Sequence, residues 1–313
     1  MDVLTPAHTP ARRRLRLITG PTALRRWAVV SLGMNMVIVV TGALVRLTAS
    51  GLGCPTWPRC TDDAYIAHPA LGIHGAIEFG NRMLTFVLVI AALLTFVSAL
   101  VYRDNGRPRR DLCWLTGGML FGIPFQGVIG GITVLTRLNP YAVALHLILS
   151  MVLIALAVWL VRRTRSLQPM RVQPRLVLLT RATNVSMWLA VWVGTVVTGS
   201  GPHAGDSGAR RTGLLVESVA HVHAGLVYAT IALTVLAVVA LRSRAALLVL
   251  GVEVVQAAIG LTQYHLGLPI GLVLLHLLGA CLAIAATTNL MLSTTATPAP
   301  LRSRREGCQD VPG

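Results

Sequence analysis

Four polar side chains, Asn81, His146, His223 and His276, stand at matched places inside long apolar runs. A histidine in such a run is costly to carry, so it serves either as a hydrogen-bonding link between helices or as a ligand. Two imidazoles at equal depth on facing helices can grip an iron from both sides. The spacing supplies such pairs. Gln126-Gly-Val-Ile129-Gly130 precedes His146, Gln256-Ala-Ala-Ile259-Gly260 precedes His276, and the Gln-to-His interval is 20 residues in both. The facing pairs are then Asn81 with His146 and His223 with His276. The second pair is complete and reads as a bis-histidine haem site, and His146, His223 and His276 are the candidate metal ligands. His221, two residues before His223, faces another way and reads as a packing or propionate partner.

Near Asn81 the run Ile77-Glu78-Phe79-Gly80-Asn81-Arg82 carries a carboxylate and a guanidinium. Each is expensive inside a membrane and needs a partner. Glu78 and Arg82 are i, i+4 and share a helical face with His74, four residues earlier. The group reads as a proton-handling or carboxylate-binding element beside the first site, with a self-neutralising pair as the alternative. Upstream, Cys54 and Cys60 flank a loop containing Pro55, Trp57 and Pro58. On an oxidising face a disulfide between them is allowed, and two free thiols remain the alternative. Cys113 and Cys281 fall in or near apolar runs and read as packing residues; Cys308 lies in a polar tail. Glu253, Gln256 and Gln126 read as links to neighbouring helices, and Glu217 as a solvated end residue. His8, His68, His203 and His265 read as solvated.

The elements that position these residues follow from composition. The 313 residues are 54% hydrophobic and 12% charged, with a mean hydropathy of +0.70, which is too apolar for an ordinary soluble domain. The net charge is +16 and every one of the 27 basic residues is Arg. These arginines cluster between apolar runs without interleaved aromatics, which excludes a nucleic-acid groove and suits membrane topology. Eight stretches are long enough to span, roughly 27–47, 73–101, 112–134, 140–161, 181–199, 215–241, 245–264 and 268–291. The fold expected is all-α and integral to the membrane, with eight transmembrane helices as two tandem four-helix bundles. The Gln…His repeat, together with Val-Val-Thr41-Gly42 matching Val-Val-Thr198-Gly199, relates the halves by an axis along the membrane normal.

Most arginines fall in the N-terminal tail, the second-to-third, fourth-to-fifth and sixth-to-seventh connections and the C-terminal tail, so both termini are expected in the cytoplasm. The histidines and Asn81 then lie roughly 12 Å below the outer surface at 1.5 Å per residue. The layout expected is a tail at 1–26, a first half at 27–161, a linker at 162–180, a second half at 181–292 and a disordered tail at 293–313. The first apolar run lacks a cleavage site and reads as an uncleaved helix.

Gly42-Ala-Leu-Val-Arg46-Leu-Thr-Ala-Ser-Gly51-Leu-Gly-Cys54-Pro-Thr-Trp57-Pro-Arg-Cys60 resembles the first-loop signature of the haem A synthase family. The resemblance covers roughly residues 27–292. It implies oxidation of the C8 methyl group of haem O to a formyl group, by two hydroxylations and loss of water, in the cell membrane. It implies a haem b cofactor on His223 and His276, and a substrate haem facing His146 beside Asn81 and Arg82. Glu78 matches the family's essential carboxylate, and Cys54 with Cys60 its loop disulfide. Haem O synthase, an electron donor and membrane lipid are the partners implied. Two departures stand out. Asn81 replaces a family histidine, so either His74 substitutes as a ligand or the first-half iron has His146 alone. A second cysteine pair, found in some members, is absent from residues 201–213. A non-enzymatic di-haem electron carrier is the alternative and would want two complete histidine pairs. A transporter would place its polar groups at mid-membrane on broken helices.

Overall fold

In the computed structural model, which describes residues 20–297, the apolar runs are eight α-helices long enough to cross a membrane. They are α1 (Pro21–Leu47), α2 (Gly72–Val101), α3 (Arg110–Leu135), α4 (Pro140–Thr164), α5 (Pro174–Ser200), α6 (Val216–Leu241), α7 (Arg244–His265) and α8 (Ile270–Leu292). The first 19 residues, with His8, and those beyond 297, with Cys308, lie outside the described residues.

Helix ends follow local chemistry. Asn139 accepts the amide of Tyr141 at 3.0 Å ahead of Pro140, and Ser243 caps α7 through Ala246 at 3.2 Å, each meeting one of the otherwise unpaired first-turn donors. The helices α1 and α5 begin earlier than their apolar runs, because arginine is a good helix former and extends the first turns past the apolar limit. The α3–α4 and α7–α8 connections share one geometry. Arg137 and Leu138 in the first, and Gly267 and Leu268 in the second, have φ of 51°, 58°, 72° and 64°. In each turn the leucine amide reaches back, Leu138 to Thr133 at 2.7 Å and Leu268 to Gln263 at 2.8 Å.

Each half is a closed ring of neighbours. α1 packs on α2, α2 on α3, α3 on α4 and α4 on α1, and the same cycle links α5 to α8. The halves meet through α4 on α8, α1 on α8 and α4 on α5. The last two contacts exchange under the repeat, as a two-fold along the membrane normal requires. Small residues let these helices approach. The buried stripe of α2 is Leu88, Ala91, Ala92, Thr95, Ser98 and Ala99, spaced three and four apart, as in other membrane helix interfaces. Between the halves Met151, Ile154, Cys281 and Ile284 are fully buried, so Cys281 is a packing residue as expected. Cys113 is half-buried, with Sγ 3.6 Å from the Ala99 carbonyl.

On the arginine-rich side two short sheets tie the connections. β1 (Arg103–Asp104) and β2 (Arg107–Pro108) form a hairpin whose turn residues Asn105 and Gly106 have φ of 49° and 78°, the type I′ geometry that Asn-Gly favours. β3 (Met170–Val172) pairs in parallel with β4 (Thr294–Ala296). The expected disorder after residue 292 therefore does not extend to the β4 residues, which the α4–α5 connection supplies with backbone partners.

Candidate functional site

The second half presents His223 on α6 and His276 on α8 with ring centroids 6.5 Å apart and planes at 77°. An imidazole nitrogen lies about 2 Å from a metal it ligates, and its ring centre roughly 1 Å beyond, so two imidazoles sharing one metal have centroids about 6 Å apart. His223 Nδ1 donates to the Ala190 carbonyl at 2.9 Å, which leaves Nε2 as its basic nitrogen. His276 Nδ1 is buried without a hydrogen-bond partner in the protein. Glycines make room for both rings. A Cβ built on Gly194 of α5 would sit 3.2 Å from His223 Cε1, and one on Gly260 of α7 would sit 3.2 Å from His276 Cε1.

The same construction recurs at His146 on α4. Its ring lies against Gly130 of α3, where a Cβ would be 3.4 Å from Cε1, and its Nδ1 is buried and unpartnered. The repeat glutamines hold both helix pairs at this level: Gln126 donates to the His146 carbonyl at 3.0 Å and Gln256 to the His276 carbonyl at 2.8 Å. Gln126 also donates to Ser150 Oγ at 2.6 Å. The role expected for these glutamines, linking neighbouring helices, is the one they have. Glu253 does likewise, accepting Thr234 Oγ at 2.9 Å.

His146 and Asn81 both face a cavity of about 970 Å³ formed mainly by α1 to α4, near the upper end for small-molecule sites, about 1,000 Å³. Its apolar wall includes Ile38, Val39, Leu88, Ile123 and Leu153, its charged wall Arg46, Glu78 and Arg82, and it reaches His276 and Leu277 of α8. Asn81 does not bond His146; its Oδ1 accepts Thr41 Oγ at 2.8 Å. The first half thus offers one imidazole where the second offers two.

Above the cavity lies the loop after α1. Cys54 and Cys60 are joined as a disulfide. Glu78 is buried, 5% exposed; its Oε2 accepts the Cys54 amide at 2.7 Å and its Oε1 the Arg82 guanidinium at 2.6 Å. Arg82 also donates to the carbonyls of Cys54 and Thr56 at 3.1 Å and of Arg59 at 3.2 Å. The pair expected from the i, i+4 spacing is therefore a clamp that holds the disulfide loop on α2 as well as part of the cavity wall. Trp57 enters the cavity and packs on Gly131, where any Cβ would overlap the indole.

His74 is placed differently from the substitute-ligand expectation. It is exposed, its Nδ1 lies 2.9 Å from Ser50 Oγ, and it is absent from the cavity wall. One helical turn outward from Glu78 carries it to the level of the loop, where Ser50 engages it. His203, expected to be solvated, lines the cavity and bonds the Leu268 carbonyl at 3.2 Å. His221 is exposed. Arg46 and the three platform glycines carry no chemical signal of their own. The signal for Gly130 and Gly260 was their place in the repeat.

Among the described residues no three His, Cys, Asp or Glu side chains converge as an ion site would need. The ring spacing of His223 and His276 and the glycine platforms fit a planar iron porphyrin instead, with two rings available to it in the second half and one helix-borne ring in the first.

A family model described as COX15-CtaA, cytochrome oxidase assembly protein, matches residues 25–70 and 73–205. A Listeria welshimeri protein named Heme A synthase is 30% identical over 181 residues, 56% of this chain and 58% of that protein. Proteins of the same name are 32% identical over 113 residues in Geobacillus thermodenitrificans (36% of this chain, 33% of the relative) and 29% over 139 residues in Lysinibacillus sphaericus (44% and 43%). The chain thus spans just over half the length of the first of these relatives.

Proposed function

This chain belongs to the COX15-CtaA family of cytochrome oxidase assembly proteins, and from that premise we propose that it is a haem A synthase of the cell membrane. The reaction is oxidation of the C8 methyl group of haem O to a formyl group, by two hydroxylations and loss of water. The observation that supports it most is the unequal pair of sites. One has two imidazoles at iron-sharing distance, His223 and His276. The other has one from its own half, His146, facing a cavity of about 970 Å³ whose wall also includes His203 and His276.

His223 and His276 are the residues that would hold a b-type haem, which when bound supplies one-electron transfer. His146 orients the substrate haem, and Asn81, held by Thr41, and the aliphatic wall fix the edge of the cavity. Replacement of the family histidine by Asn81 leaves the first-half helices with a single imidazole toward the substrate, which suits an iron that must keep one face open. Glu78 is the candidate catalytic group. Both its oxygens are engaged, Oε2 by an amide and Oε1 by a guanidinium, so it would hold or pass a proton at a remaining lone pair while keeping its place. Trp57 and the clamped loop cover the cavity and limit water above the reacting methyl. Haem O synthase, as supplier of the substrate, and an electron donor are the expected partners.

The test is expression in a host that makes haem O but no haem A, followed by extraction of pigments. Haem A or hydroxylated haem O is expected at levels comparable to the enzyme itself or above. Folded, haem-loaded protein that yields neither product would defeat the assignment.

A further inference from the structure

Two guanidiniums and one carboxylate line the first-half cavity: Arg46, Arg82 and Glu78. The Arg82–Glu78 ion pair, at 2.6 Å, cancels one positive charge against the negative one. Arg46, in the last turn of α1, is left over. Its Nε donates to the His203 carbonyl at 2.6 Å and its Nη2 to the Thr198 carbonyl at 2.9 Å. Among the described residues no carboxylate lies within ion-pair distance of it. Arg211, on the outer loop of the second half, donates to the Pro202 carbonyl, one residue before the carbonyl that Arg46 Nε uses. A half-buried cation satisfied only by carbonyl dipoles, with a like charge nearby, is short of a counter-ion.

The rest of the cavity says which counter-ion fits. Ile38, Leu88 and Ile123 make one part apolar while Arg46 charges another, so the cavity suits a large apolar ligand with an anionic edge. The two carbonyls hold the planar guanidinium by Nε and Nη2, and Nη1 makes no hydrogen bond to the described residues. A fixed fork of this kind meets a carboxylate with little further ordering.

We infer that Arg46 is the cationic contact for a carboxylate of the ligand in this cavity, a haem propionate under the functional reading above, on which the inference rests. Because the carbonyls that aim Arg46 belong to His203 and Thr198, the second half takes part in binding at the first-half site.

The protein with its second-half haem in place would be titrated with haem O and with haem O dimethyl ester, which lacks the charges but keeps the ring. The wild type is expected to bind the free acid at least about tenfold tighter than the ester. Arg46→Gln should lose most of that preference and Arg46→Lys should keep part of it, with the spectrum of the second-half haem unchanged in both as the measure of intact folding. Equal affinity of the wild type for the two ligands overturns the inference without any variant, and that is also the outcome if the cation serves a lipid phosphate. Full preference in Arg46→Gln overturns it too. Should Arg46→Gln fail to purify with its haem, Arg46→Lys and the wild-type comparison decide. Uptake of neither ligand by the wild type defeats the reading of this cavity as a haem site, and the role of Arg46 with it.

Discussion

At the scale of single residues, the histidines are set as much by what lies behind them as by their own chemistry. Three rings lie against glycines of the adjacent helix, Gly130, Gly194 and Gly260. Glycine in a helix costs about 1 kcal/mol against alanine, and the helix bears that cost where a ring must come close. The platform can be tested at Gly260. Alanine there puts a methyl 3.2 Å from His276 Cε1, tight but tolerable with a small ring shift, so Gly260→Ala should retain its haem with an altered low-spin band. Gly260→Leu cannot be accommodated without displacing the ring. Its second-half haem affinity should fall at least about tenfold, ~1.4 kcal/mol, while helix content by circular dichroism stays the same or rises, since leucine favours the helix. Unchanged haem stoichiometry and spectrum in Gly260→Leu would remove the glycine from the site.

At the scale of elements, the loop after α1 is held by the two partners of one α2 ion pair, Glu78 and Arg82, through hydrogen bonds to the loop backbone. Glu78→Gln keeps the shape of the side chain but leaves Arg82 facing carbonyls alone. Breaking a buried pair costs about 3–5 kcal/mol; Arg82 is 19% exposed, and solvent access brings the expected cost down to about 1–2 kcal/mol. That is a factor of roughly 5–30 in local opening. Reduction of Cys54–Cys60 by a mild thiol, followed by alkylation, should quicken by such a factor in Glu78→Gln and much less in Glu78→Asp. An unchanged reduction rate with lost activity would leave Glu78 a purely chemical role. The i, i+4 spacing made this pair legible in the sequence, and periodicity with Arg clustering made the helices and their tandem order legible. The loop's backbone donors were not, because an amide or carbonyl carries no residue-specific mark. The same holds for the β3–β4 pairing, whose strands are brought together by the bundle and not by any local pattern. His74 shares a helical face with Glu78, but the face alone did not fix which end of it the cavity reaches.

At the scale of the whole molecule, two unrelated observations lead to the same expected orientation, and they could have disagreed. Arginines crowd the α2–α3, α4–α5 and α6–α7 connections, while the other side carries Arg46, Arg59, Arg137, Arg210 and Arg211 beside Asp62, Asp63 and Asp206. From the distribution of cations the crowded side is expected in the cytoplasm. Independently, the Cys54–Cys60 disulfide persists only on an oxidising face, and it lies on the arginine-poor side. We therefore expect both haem sites near the outer face, with the clamped loop in the external space. The check uses single cysteines in a background with Cys113 and Cys308 replaced by serine. Ser207→Cys, exposed between α5 and α6, should react with a membrane-impermeant maleimide on intact cells. Gln168→Cys, exposed between α4 and α5, should react only after the membrane is opened. The reverse pattern would put the disulfide in a reducing compartment and the arginines outside. In that case the loop could not be held closed by an oxidised cysteine pair in the cell, and the cover over the cavity would depend on Glu78 and Arg82 alone.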